Sequence, residues 1–254
     1  MTRRPPAAAL ALAIALAFST AVPAVTPESP KQAAEVNAQL GIQYLRQGNL
    51  PVAREKIERA LKQNSRNIGV QLAAALLYEQ LRDTSRAEGH YRRALNVDRD
   101  SPEALNAYAS YLCRRGDARA GEAMFERAAK SPMSRAPEIA YTNAGTCARQ
   151  NGRLPEAEGY LRTALGLRPN YADALMQMTS VAAARGNSMQ VRAFLQRYLA
   201  VGPASPELLM IGVKAERTLG DRAAADEYAG RLRREFPDSA EARALDDPEE
   251  RNPG

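Results

Sequence analysis

At 254 residues, with 45% hydrophobic and 25% charged residues, the chain has the composition of an ordinary globular protein with room for one or two cores. That balance excludes a wholly disordered chain and a bundle of membrane helices. The formal net charge of +6 is a mild excess. Its arginines are scattered singly and in pairs along helical faces rather than clustered with interleaved aromatics, so no nucleic-acid partner is expected.

In chain order, the first signal is an N-terminal leader. Arg3 and Arg4 precede an apolar run from Ala7 to Phe18, and the small-residue stretch "STAVPAVTPESP" follows. A positive start, a short apolar run and small residues describe a secretory signal peptide over 1–24, cleaved after Ala24 or after Ala21. The run is shorter than the roughly 20 apolar residues a bilayer span needs. Loss of Arg3 and Arg4 would lower the net charge from +6 to +4. Residues 25–33 read as an exposed linker.

From Ala34 onward the chain repeats itself. Leu40, Gly41, Tyr44, Ala53, Ile57 and Ala60 set a template that returns at Ile68 as Ala75, Tyr78, Ala87, Tyr91 and Ala94. It returns at Pro102 as Ala109, Leu112, Phe125 and Ala128, with Gly121 where an alanine stands elsewhere, and at Glu138 as Gly145, Ala157, Leu161 and Ala164. Further copies begin at Ala172 and Pro206. The starts at 34, 68, 102, 138, 172 and 206 step by 34 residues, except for one step of 36 across "KSPMSRAPE". This is the pattern of six tetratricopeptide repeats over 34–239, so the expected fold is all-α, a right-handed superhelical α-solenoid. Each unit is two amphipathic helices that bury their apolar faces only by stacking on neighbours. Gly48, Gly116, Gly152, Gly186 and Gly220 fall at the turn between the two helices, where positive φ is needed, and Arg82 takes that place in the second repeat. Residues 240–254 read as the end of a capping helix followed by a frayed acidic tail.

Little in this pattern carries chemistry. The one histidine, His90, cannot build a zinc site with two scattered cysteines, and no metalloprotease, phosphate-loop, dinucleotide or nucleophile-elbow motif is present. No catalytic residue, metal, cofactor or small-molecule substrate is expected, and recognition of a protein partner remains. The first helices of successive repeats line the concave face. Register places Ala38, Ile42, Leu45, Leu72, Leu76, Glu79, Asn106, Ser110, Thr142, Arg149, Met176 and Ser180 there. The apolar early members make the N-terminal end the better docking groove, unless they only bury one another or the linker.

The two cysteines lie in neighbouring first helices, Cys113 in "NAYASYLCRRGD" and Cys147 in "YTNAGTCARQNG". At about 100° per residue, their two-residue offset turns the side chains toward each other, and packed axes about 8–10 Å apart bring facing Cα atoms to roughly 4–5 Å. A structural disulfide is expected, with two reduced core thiols as the alternative; closing the loop would contribute roughly 3–4 kcal/mol.

These residues carry a resemblance. Asn106, Tyr108, Leu112 and Cys113, with Asn143, Gly145 and Cys147 in "NAGTC", six repeats and a leader together resemble the PilF/PilW type IV pilus biogenesis and stability proteins, the pilotins of the pilus secretin. The resemblance implies a non-enzymatic factor that helps an outer-membrane secretin reach its membrane and multimerise. It also implies a lipidated cysteine directly after the leader, yet residues 1–33 contain no cysteine. A soluble periplasmic protein that meets the outer membrane through its partner is therefore expected. A general periplasmic repeat adaptor or chaperone of envelope assembly is the alternative.

Overall fold

Residues 29–245 are described by the structure, a computed structural model. The expected signal peptide, the linker up to residue 28 and the tail from residue 246 lie outside them. Among the described residues the helices come in consecutive pairs: α1 (Pro30–Arg46) with α2 (Leu50–Gln63), α3 (Ile68–Gln80) with α4 (Thr84–Val97), and α5 (Pro102–Arg114) with α6 (Ala118–Lys130). The series continues with α7 (Pro137–Gln150) and α8 (Leu154–Leu167), α9 (Ala172–Ala184) and α10 (Ser188–Leu199), and α11 (Pro206–Thr218) and α12 (Arg222–Glu235). A short α13 (Ala240–Ala244) packs on α11 and α12 and closes that end.

The local signals explain most boundaries. The five turn glycines have φ between 68° and 87°, and Arg82 takes φ 58° in the same role. Helix starts use side-chain caps: Asn49, Asn67, Asp83, Ser101, Asp117, Asn187, Ser205 and Asp221 each accept a bond from a backbone N–H in the first turn. The linker expected over 25–33 needs correction, because α1 already begins at Pro30. Ser29 Oγ accepts from Gln32 N at 3.2 Å, and proline is pre-organised for the first helical position. A helix can thus start one turn before the repeat template does.

Each first helix packs on its own second helix and on the first helix of the next repeat, so the core is a continuous seam rather than one central mass. Ala53, Ala60, Ala87, Ala94, Ala157 and Ala164 are fully buried along it, where small side chains let backbones approach. Gly121 is the tightest case in backbone terms: a Cβ there would lie 2.9 Å from Ala109 O and 3.3 Å from Cys113 N. The irregular step is absorbed between α6 and α7, where Ser131 Oγ donates to Asp100 O at 2.7 Å and accepts from Met133 N at 3.2 Å, tying the extra residues back to the preceding repeat.

Candidate functional site: the concave groove

The first helices α1, α3 and α5 run side by side and leave a groove of about 410 Å³ between them. Its stripe on α5 is Glu103, Ala107, Ser110 and Arg114, and on α3 it is Gly69, Leu72 and Leu76. These steps of three and four residues put each set on one helical face. Glu35, Ala38, Gln39 and Ile42 supply the α1 side, and Asn67, Val70 and Tyr91 complete the lining. Leu72 is almost fully covered, whereas Leu76 is 37% exposed, an uncovered apolar side chain facing the opening.

Five of the expected groove residues, Ala38, Ile42, Leu72, Leu76 and Ser110, are brought together here. Three are not. Leu45 is spent in the packing of α1 against α2 and α3. Thr142 is only 4% exposed and its Oγ1 donates to Glu138 O at 2.7 Å, so it serves its own helix. Asn106 sits one residue off the α5 stripe; its Nδ2 donates to Pro102 O at 2.9 Å, and its buried Oδ1 has no hydrogen-bond partner among the described residues.

Tyr91, Glu35, Glu103 and Arg114 are lining residues that sequence reasoning missed. The stripe itself was the available signal, since extending Ser110 by four residues reaches Arg114. Arg114 Nη2 donates to both carboxylate oxygens of Glu79 at 3.0 and 2.8 Å, and the Tyr91 hydroxyl makes a very short bond to the same carboxylate. Burial first, and then that carboxylate, push the Tyr91 phenol far above its ordinary range, so it stays a neutral donor. Behind the groove its ring stacks on Tyr108 at 5.5 Å and meets Tyr111 at 5.0 Å, and the Tyr111 hydroxyl donates to Thr84 O at 3.0 Å. The wall is therefore rigid, with its polar groups already mutually satisfied.

His90 lies nearby and has structural partners. Its ring stacks on Tyr78 at 5.3 Å, and Nδ1 lies 2.7 Å from Gln71 Oε1. Gln71 Nε2 donates to Ser65 O at 2.6 Å, which leaves Oε1 facing the ring, and Arg93 Nη1 lies 3.1 Å from His90 Nδ1 and 3.3 Å from Nε2. Burial, with the Arg93 and Arg86 charges, pulls the imidazole down to about 4, so it is neutral at pH 7.

A second hollow of about 230 Å³ adjoins the groove, sharing Ser110 and Arg114 and bounded by Cys113, Cys147, Asn143 and Thr146. The two cysteine sulfurs are 2.16 Å apart and the Cα atoms 5.8 Å apart, slightly wider than the spacing anticipated from helix packing. Cys147 is buried and Cys113 partly open. The same junction carries a buried ion pair, Arg153 Nη1 to Glu122 Oε1 at 3.1 Å, with the Glu122 side chain 4% exposed.

Comparison with known proteins agrees with this architecture. A tetratricopeptide repeat family model matches residues 39–104 and 106–172, together just over half of the chain. The type IV pilus assembly protein PilF of Pseudomonas aeruginosa is 22% identical over 219 residues, covering 86% of this chain and 87% of that one. The crystal structure of PilW, described as a widely conserved type IV pilus biogenesis factor, superposes with a TM-score of 0.72 at 29% identity, over 84% of this chain and 98% of PilW. A structure of Pseudomonas aeruginosa PilF gives 0.69 at 21% identity, over 85% and 97%. The chain belongs to the tetratricopeptide repeat family, and in sequence and fold it is a PilF/PilW-like protein of the type IV pilus kind.

Proposed function

We propose that the protein is a non-enzymatic periplasmic scaffold that assists an outer-membrane secretin of the type IV pilus to localise or multimerise. The observation that carries this reading is the likeness to PilF and PilW, which runs over most of both chains rather than over one repeat. An apolar groove open at Leu76 supplies a docking surface of the sort a partner segment needs. The leader-like residues 1–24 support export, and an oxidising compartment suits a disulfide between Cys113 and Cys147. The test is deletion of the gene, followed by imaging of surface pili and immunoblotting of heat-resistant secretin multimers. Loss of multimers and of pili is expected, with recovery by the wild-type gene. Normal multimers and normal pili would sink the reading.

A further inference from the structure

The groove is sided in charge. Glu35 and Glu103 stand on the lip formed by the N-terminal portions of α1 and α5, and both are exposed. Asn67 Nδ2 donates to Glu35 Oε1 at 3.0 Å, which orients that carboxylate without neutralising it. Among the described residues neither carboxylate is in an ion pair, whereas Glu138, one template position earlier on α7, is held by Arg168 at 3.4 Å. The groove's cation, Arg114 on the far wall, is already bound by Glu79. Counting Glu79 with the lining gives three carboxylates against one guanidinium, a local reversal of sign in a chain whose formal net charge is +6. The helix dipole alone does not account for the lip. It favours an acid in the first turn, where Glu103 lies, but Glu35 lies beyond the first turn of α1.

We propose that this groove takes a short apolar segment flanked by a lysine or arginine, its apolar side chains over Ile42, Leu72 and Leu76 and its cation at the Glu35–Glu103 lip. The inference rests on the docking reading above and specifies its chemistry. An acidic segment would face two uncompensated carboxylates and find the opposing guanidinium occupied, so charge acts here mainly to exclude the wrong partner.

The test is selection of a random dodecapeptide phage library on the intact protein, alongside the E35K/E103K, E35Q/E103Q and L76D variants, each checked for unchanged helical circular dichroism. Wild type should enrich sequences that join apolar residues to lysine or arginine several-fold over the input library. The preference for basic residues should weaken in E35Q/E103Q and reverse toward acidic residues in E35K/E103K, and the selected peptides should bind L76D at least fivefold more weakly. Selected peptides that need Leu76 but show no basic preference, or keep it in E35K/E103K, overturn the charge inference and leave the docking surface standing. Failure to select any peptide, or peptides that bind L76D as well as wild type, overturns both.

Discussion

The first three repeats and the stretch from α7 to α9 are built from the same template but held in different ways. In α2 to α6 every helix starts on an Asn, Asp or Ser whose side chain accepts a first-turn N–H. The corresponding residues of α7, α8 and α9 are Ala136, Arg153 and Tyr171, and none makes a side-chain cap. What α7 and α8 have instead is tertiary: the Cys113–Cys147 contact, the buried Arg153–Glu122 pair and the broad packing of α6 on α7. Local capping stabilises a helix by about 1 kcal/mol wherever it sits, whereas cross-repeat ties act only once both repeats are folded. Repeats three and four are thus expected to fold as one cooperative unit, and the early repeats with more independence.

The largest test of that contrast is removal of the cysteines. The C113S/C147S variant should lose roughly 3–4 kcal/mol against the oxidised protein in urea unfolding, with faster amide exchange concentrated in α5 to α8. Peptide mapping under non-reducing conditions should show the two cysteines linked; freely alkylated thiols in the native protein would remove the basis for this expectation.

Gly121→Ala should cost about 1–3 kcal/mol, because the new methyl meets a backbone carbonyl that cannot swing away. Gly159→Ala, on the neighbouring α8 with open space around it, should cost nothing and slightly stabilise its helix. Equal effects from the two would show that the backbones near Gly121 can separate freely.

A pH titration probes the early repeats. The folded imidazole of His90 sits at about 4 against an ordinary 6.5, so between these values the unfolded chain binds a proton that the folded chain does not. Its contribution is complete above about pH 6.5 and falls away as the pH drops toward 4, by an amount on the order of 2 kcal/mol. Chemical denaturation at several pH values should show this slope in wild type and a flatter one in His90→Gln.

The smallest effects belong to the caps. Asp117→Ala should lose about 1 kcal/mol, while Ala136→Ser and Tyr171→Asp should each gain about 0.5–1 kcal/mol by supplying a missing acceptor. If the added caps do nothing, the cross-repeat ties already hold those helix starts in full.

Much of the groove was legible, and the gaps have a physical cause. Ala38, Ile42, Leu72, Leu76 and Ser110 follow from helical register alone. Asn106 falls off the groove stripe because one residue turns a side chain by about 100°, and Thr142 lies outside it because α7 is not among the three helices that line it. Tyr91 was read as packing, which it is, yet its ring reaches through the seam to the groove wall. The acidic lip was hidden because Glu35 and Glu103 look like ordinary solvated carboxylates until their missing partners are seen.

By itself the sequence determined the six-repeat solenoid, the turn at Arg82 as well as those at the glycines, and the neighbouring helices on which the cysteines meet. These depend on periodicity, backbone conformation and chain order, which are local. Only the tertiary structure decided which charges are paired and which are left open. Arg114 reaches Glu79 across 35 residues and Arg153 reaches Glu122 across 31, choices among many carboxylates that are settled by distance in space. The sidedness of the groove is the remainder of that pairing, and no pattern along the chain encodes it.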